Sequence, residues 1–300
     1  MKILMAEDDT TSRILYGATL RKLGYSVTAV ENGQKAWETW KQGEYPLLIS
    51  DWMMPDIDGV QLCKMIRAEP SLQYTYIILL TSLDSKGSYL EGMDGGADDF
   101  ITKPFDEEQL AARLRVAERI LALHEKLHIQ ATHDHVTGVW NRAAVMGYLE
   151  AELGRAARQS TCMGVIMADL DHFKQVNDTY GHPVGDMVLQ EAARRMQLAL
   201  RPYDRIGRYG GEEFLITVPG CAMSAAITVA ERIRSAISAG PVSSGSERIP
   251  LTVSLGVAIG GNQVDEDAGM LIAAADEALY RAKKAGRNRI EFSNRKCDGC

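Results

Sequence analysis

The chain has 300 residues, 46% of them hydrophobic and 24% charged, with a formal net charge of −7; this length fits about two globular domains, and the composition excludes a disordered or fibrous class. The acidic balance argues against a general affinity for DNA or RNA backbones, which rewards dense Lys and Arg. An anionic nucleotide would have to be held by local groups.

No apolar stretch approaches the ~20 residues that span a bilayer. The acidic run Glu7-Asp8-Asp9 follows Met1 to Met5 too early to leave a signal-peptide core, so a cytoplasmic protein with no membrane partner is expected. Five cysteines, Cys63, Cys162, Cys221, Cys297 and Cys300, lack a secreted disulfide rhythm and are expected to be reduced. The terminal Cys297-Asp298-Gly299-Cys300 has no second ligand pair and reads as part of a flexible tail over 294–300.

In chain order, Ile3 to Ala6, Ser26 to Val30, Leu47 to Ser50, Ile77 to Thr81 and Asp99 to Thr102 read as strands separated by helix-period segments. Continuously apolar runs such as Leu47-Leu48-Ile49 suit buried parallel strands, and right-handed helical crossovers then give a doubly wound five-stranded sheet. From Asp106 to Asp134 there is no Gly or Pro, which predicts one long helix. Two apolar seams run along it: Val116, Ile120, Leu123 and Leu127, and beside them Leu110, Leu114, Ala117 and Leu121. One seam is expected to dock on the first domain and the other to pair with a second chain as a coiled coil.

The alternation resumes after Asp134. Strands are expected at Gly164 to Asp169, Phe214 to Val218 and Leu251 to Ala258, with a β-hairpin joining Ile206–Tyr209 to Phe214–Val218 around Gly210-Gly211. Helices are expected at Arg142 to Gln159, Val184 to Leu200, Ala222 to Ala239 and Gly269 to Ala285, and Gly240 to Arg248 reads as a flexible loop. The result is an α/β domain with a mixed sheet. The expected division is a first domain over 1–123, a connecting helix over 106–133 shared with its end, and a second domain over 132–293.

Carboxylates cluster where strands end. Glu7 and Asp8 follow the first strand and Asp51 the third, and in open α/β sheets ligands bind at the carboxyl edge. Mutual repulsion among them calls for a hard cation such as Mg²⁺. Thr81 and Lys103 end the next strands with a hydroxyl and an ammonium, a set suited to phosphoryl transfer onto an Asp.

Glu7-Asp8, Asp51 in Ser-Asp-Trp-Met-Met-Pro-Asp, Thr81-Ser82 and Lys103-Pro104 together make this half resemble response-regulator receiver domains. The resemblance implies Asp51 as phosphoacceptor for a cognate histidine kinase, Mg²⁺ held by Glu7, Asp8, Asp51 and the Met53 carbonyl, and phosphoryl contacts from Thr81 and Lys103. It also implies Phe100 at the aromatic switch position and a cis bond before Pro104.

In the second half, Gly210-Gly211 would let backbone approach a nucleotide, since no Cβ stands in the way. Asp169, ending an apolar strand, and a hairpin carboxylate from Glu212 or Glu213 could clamp Mg²⁺ on triphosphate oxygens while a 3′-hydroxyl attacks the α-phosphate.

Four segments carry a second resemblance: Asp134 to Arg142, Asp169 to Asp178, Arg208 to Phe214 and Ala282 to Asn288. Together they are similar to the GGDEF-type diguanylate cyclase domain, which condenses two GTP molecules into cyclic di-GMP and pyrophosphate. Glu212 stands where the family name has Asp and keeps the carboxylate.

By this resemblance Asp169, the Leu170 carbonyl and Glu212 would bind metal, two Mg²⁺ per site, with Glu213 as base or second metal contact. Asn177 and Asp186 would read guanine, His182 would lie near the sugar, and the Phe173 and Lys174 backbone with the Lys283 and Arg287 side chains would meet the phosphates. Arg201-Pro202-Tyr203-Asp204 matches the RxxD product-inhibition motif, with Arg232 as a second-subunit contact. One GTP per domain implies an active homodimer. The alternative is a receiver-controlled module that binds cyclic di-GMP without making it.

Overall fold

Short apolar runs separated by capped helices give two α/β units, Met1–His128 and Ile129–Cys300. The coordinates are a computed structural model that describes residues 1–69, 74–82, 93–261 and 267–293. The expected tail over 294–300 lies outside the described residues. Among the described residues no helix is long and apolar enough to cross a membrane.

In the first unit β1 (Lys2–Ala6), β2 (Ser26–Val30), β3 (Leu47–Asp51), β4 (Tyr76–Thr81) and β5 (Asp99–Thr102) form one parallel sheet in the order β2-β1-β3-β4-β5. The helices α1 (Thr10–Lys22), α2 (Gly33–Gln42) and α3 (Gly59–Ala68) start at Asp9, Asn32 and Asp58, whose side chains each accept a hydrogen bond from a first-turn amide. Core side chains lie on both faces: Leu4, Leu48, Ile77 and Leu79 on one, Ile3, Ile49, Ile78 and Leu80 on the other. That explains why β3 and β4 are apolar without alternation.

The long helix is α4 (Glu107–Thr132). Its Leu110, Leu114 and Ala117 are buried on the first sheet, with Ile120 and Leu121 packed beside them. Farther along, His124 stacks on Tyr74 at 4.1 Å between ring centroids, and Glu118 accepts a hydrogen bond from the Tyr25 hydroxyl. Of the other seam, Ile120 is thus partly covered, while Val116, Leu123 and Leu127 are 41%, 56% and 61% exposed.

The second unit contains α5 (Arg142–Gln159), β6 (Met163–Leu170), α6 (Phe173–Tyr180), α7 (His182–Leu198), β7 (Arg205–Gly210) and β8 (Glu213–Pro219). These are followed by α8 (Met223–Ser238), β9 (Val242–Ser244), β10 (Glu247–Ile249), β11 (Val253–Gly260), α9 (Ala268–Lys284) and β12 (Ile290–Phe292). The sheet order is β12-β11-β6-β8-β7, antiparallel except for β11 with β12. At Gly256 a Cβ would meet the Ala275 carbonyl at 2.0 Å, so glycine is what lets α9 lie directly on β11.

Two expectations need correction. Gly240 to Arg248 is not all loop, because Val242–Ser244 pairs antiparallel with Glu247–Ile249, and Val242 and Ile249 are buried in the core. Cys63 and Cys221 are free and buried, but Cys162 is disulfide-bonded rather than reduced. Nothing in the sequence around Cys162 signals that bond.

Candidate functional site

Each unit gathers acids at one end of its central strands, the carboxyl ends of β1 and β3 in the first and the end of β6 beside the start of β8 in the second. In the first, carboxylate oxygens of Glu7, Asp8 and Asp51 all lie within 4.8 Å of one another. Lys103, just past β5, places Nζ 2.8 Å from Glu7 Oε2 and 2.9 Å from Asp51 Oδ2. Burial raises the Glu7 pKa, the Lys103 hydrogen bond opposes this, and the charge on Asp51 adds to it. Burial works against the Lys103 ammonium, yet its bonds to Glu7 and Asp51 hold its pKa above the ordinary lysine value.

One ammonium for three carboxylates leaves net negative charge on hard oxygen donors, which fits Mg²⁺. Thr81 is buried at the end of β4, Met53 is exposed, and Phe100 is buried with its ring 6.0 Å from Trp52. The Lys103-Pro104 bond is cis.

In the second unit Asp169 stands at the end of β6, opposite Glu213 of β8 and Ser254 of β11 in the ladder. The Leu170 amide donates to the Glu212 carbonyl at 3.3 Å, which brings the hairpin turn beside Asp169. Gly211 has φ 51, a left-handed turn conformation that favours glycine. Asp169 is 7% exposed, and its Oδ2 lies 2.7 Å from Lys283 Nζ at the end of α9. Burial pushes the Asp169 pKa up to about 6; Lys283 pulls it down, and Glu212 and Glu213 push it up. These buried and half-buried carboxylates again form a hard donor set suited to Mg²⁺.

Lys174 and Asn177 lie on α6, and His182 and Asp186 in the first turns of α7. The two helices meet at Gly185, where a Cβ would stand 1.9 Å from Asn177 Oδ1. Asn177 therefore lies against the residue that precedes Asp186. Arg287, after α9, is exposed and left-handed at φ 60.

Arg201 and Asp204 close a tight turn before β7, in which Asp204 Oδ2 accepts from the Arg201 amide at 2.9 Å. Asp204 is 5% exposed, and its Oδ1 has no hydrogen-bond partner among the described residues. Both residues line a cavity of about 250 Å³ shared with His133, Trp140 and Gln197. Arg232 donates through Nε to the Ala199 carbonyl.

Residues 131–289 match the family model described as diguanylate cyclase, GGDEF domain, and residues 3–115 match the response regulator receiver domain. The chain belongs to the GGDEF diguanylate cyclase family.

It is 31% identical to the response regulator PleD of Caulobacter vibrioides over 257 residues, 83% of this chain and 56% of that protein. It is 37% identical to the diguanylate cyclase DgcP of Pseudomonas aeruginosa over 219 residues, 69% of this chain and 32% of that one. The chain thus spans about half of the first relative and a third of the second. Among solved structures, the coiled coil and GGDEF domain of DgcB from Caulobacter crescentus in complex with c-di-GMP superposes with a TM-score of 0.57 at 32% identity. It covers 62% of this chain and 98% of that one.

Three residues of this GGDEF domain received no role from sequence. Asp134 accepts from the Thr137 amide and hydroxyl and from Arg208, whose Nε donates to the Gly211 carbonyl at 2.8 Å, so Arg208 ties the hairpin turn to the start of the domain. Asp171, two residues after Asp169, is buried as well. Its partners lie on other strands and loops, which no local pattern marks.

Proposed function

We propose that the protein is a phosphorylation-regulated diguanylate cyclase of the cytoplasm, converting two GTP into cyclic di-GMP and two pyrophosphates as a homodimer. The observation that carries this reading is the buried Asp169 carboxylate beside the Glu212-Glu213 hairpin turn, with the Lys283 ammonium already 2.7 Å away.

Asp169, the Leu170 carbonyl and Glu212 would hold Mg²⁺, which when bound supplies charge neutralisation at the triphosphate. Asn177 and Asp186 fix the guanine edge, and His182 approaches the sugar. The backbone at Phe173 and Lys174 and the left-handed Gly211 after Gly210 admit the phosphates closely, while Lys283 and Arg287 face their charge. Glu213 takes the 3′-hydroxyl proton as the oxygen attacks the α-phosphate of the GTP on the partner subunit. Pyrophosphate leaves, and the same step on the other GTP closes the ring.

The open seam of Val116, Leu123 and Leu127 is where two copies would pair. Asp51 takes the phosphoryl group from a histidine kinase, with Thr81, Lys103 and Phe100 responding and Glu7, Asp8 and the Met53 carbonyl holding Mg²⁺. The change in charge shifts the dimer toward the arrangement in which the active sites face.

The unpartnered Oδ1 of Asp204 beside the 250 Å³ cavity favours product binding at Arg201 and Asp204, with Arg232 contributing from a second subunit. It equally favours the second reading, a module that binds cyclic di-GMP without making it. The test is incubation of the purified chain with GTP and Mg²⁺, with and without beryllofluoride, and chromatography of the nucleotides. Cyclic di-GMP that rises with beryllofluoride supports the proposal; intact GTP in both conditions leaves only the binding module.

A further inference from the structure

Asp171 occupies the second acidic position of Asp169-Leu170-Asp171, where a second metal-binding carboxylate is the obvious guess. Its environment is different. The side chain is 6% exposed, and both oxygens are taken: Oδ1 accepts from the Ser254 hydroxyl at 2.7 Å, Oδ2 from the Thr252 hydroxyl at 2.7 Å and from the Asn288 amide at 3.0 Å. Its own amide donates to the Thr252 carbonyl at 3.0 Å.

The third of those donors belongs to the turn between α9 and β12, the segment that carries Arg287. This turn is left-handed at Gly286, Arg287 and Asn288, with φ of 113, 60 and 46. Two consecutive non-glycine residues hold such a backbone only where the surroundings over-determine it. The pins on the turn include the Arg287 amide to the Ala282 carbonyl, the Leu255 amide to the Arg289 carbonyl, the Arg234 guanidinium to the Asn288 side-chain oxygen at 3.0 Å, and the Asn288 amide to Asp171. Only the last pin comes from the chain segment that carries Asp169.

We infer that Asp171 is a positioning residue that fastens the Gly286–Arg289 turn to the end of β6, so that the Arg287 guanidinium is held toward the phosphates of a nucleotide whose metal sits at Asp169. The inference rests on the proposed nucleotide site and deepens it. Asp171 touches neither substrate nor metal; it acts through Arg287.

The hydroxyl partners make a sharp test possible. An asparagine can keep its carbonyl oxygen on the Asn288 amide and Thr252 and turn its NH₂ toward the Ser254 oxygen, since a hydroxyl accepts as well as donates. A metal ligand would not survive that change; a strut would. The full-length protein is titrated with two probes in the presence of Mg²⁺: a GTP analogue with a methylene group between the α and β phosphorus atoms, and GMP.

Asp171→Ala is expected to lower affinity for the triphosphate analogue by about tenfold or more, the scale of one lost charge-assisted hydrogen bond, and to leave GMP affinity unchanged. Asp171→Asn keeps both within about threefold, well under the loss expected for a missing bond. Arg287→Ala reproduces the alanine effect, and the double variant adds nothing to it.

Equal loss for both probes in the alanine variant, or an asparagine variant as weak as alanine with altered Mg²⁺ dependence, overturns the assignment. Should Asp171→Ala not fold, the asparagine variant alone decides. A wild-type chain that binds the analogue but forms no cyclic di-GMP from GTP sinks the cyclase reading while the strut is still judged by the binding ratio; one that binds neither probe overturns both.

Discussion

Gly185→Ala offers a direct probe of how guanine would be recognised. The added Cβ would stand 1.9 Å from Asn177 Oδ1 and 3.0 Å from its Cγ, while its next neighbour, Phe173 Cζ, is at 3.4 Å, an ordinary contact. The clash therefore falls on Asn177 almost alone. Its amide has to retreat by roughly 1.5 Å, enough to take a hydrogen bond of ordinary length beyond the range where it counts.

Losing that bond to a bound base costs about 1–3 kcal/mol, or roughly 5- to 150-fold in affinity. The helix itself gains, because alanine is favoured over glycine in a helix by about 1 kcal/mol. Folding stability and nucleotide binding should thus separate: KM for GTP rises at least fivefold, preference for GTP over ATP falls, and the melting temperature holds. In an Asn177→Ala background, Gly185→Ala should change KM little, because the displaced group is already gone. A KM within twofold of wild type with intact guanine preference would refute the role given to Asn177.

Asp51→Asn is expected to abolish the response to beryllofluoride, read as the ratio of cyclic di-GMP formed with and without it. Leu127→Lys on the open seam of α4 should weaken self-association, since burying a leucine is worth about 1.5–3 kcal/mol; sedimentation should show a Kd raised by roughly tenfold or more, with specific activity falling on dilution. Asp204→Ala removes the unpartnered Oδ1 together with the Oδ2 that accepts from the Arg201 amide, so stability should fall by only about 1 kcal/mol while the cyclic di-GMP concentration that halves activity rises by about tenfold, read from progress curves with added product.

Parallel strands were legible because burial on both faces removes polar alternation, as in Leu47-Leu48-Ile49, and the long helix because nothing breaks it between residues 106 and 134. The elements missed are those without such a signature. The helix Phe173–Tyr180 has only 8 residues and starts from a left-handed His172 with no side-chain cap. The β9–β10 ladder is three residues a strand in a Ser- and Gly-rich segment, held by two buried side chains, Val242 and Ile249. Strand-end carboxylates such as Asp51 and Asp169 could be read from position, whereas Asp171 and Arg208 take their meaning from partners 117 and 74 residues away.

Both units meet one electrostatic problem in the same way. Carboxylates converge at one end of the central strands, and a lysine from the end of a later element lies among them: Lys103 against Glu7 and Asp51, Lys283 against Asp169. Without such a cation, burial and mutual repulsion would drive these acids toward protonation, as the raised values of Glu7 and Asp169 record. Were Mg²⁺ to bind as proposed, it would take over the neutralisation and leave each ammonium free to meet a phosphoryl group. One side chain would then serve as counter-ion in the free site and as hydrogen-bond donor to phosphate in the filled one, a pair of roles that a lysine, a compact charge on a flexible stem, suits better than an arginine fork committed to one geometry.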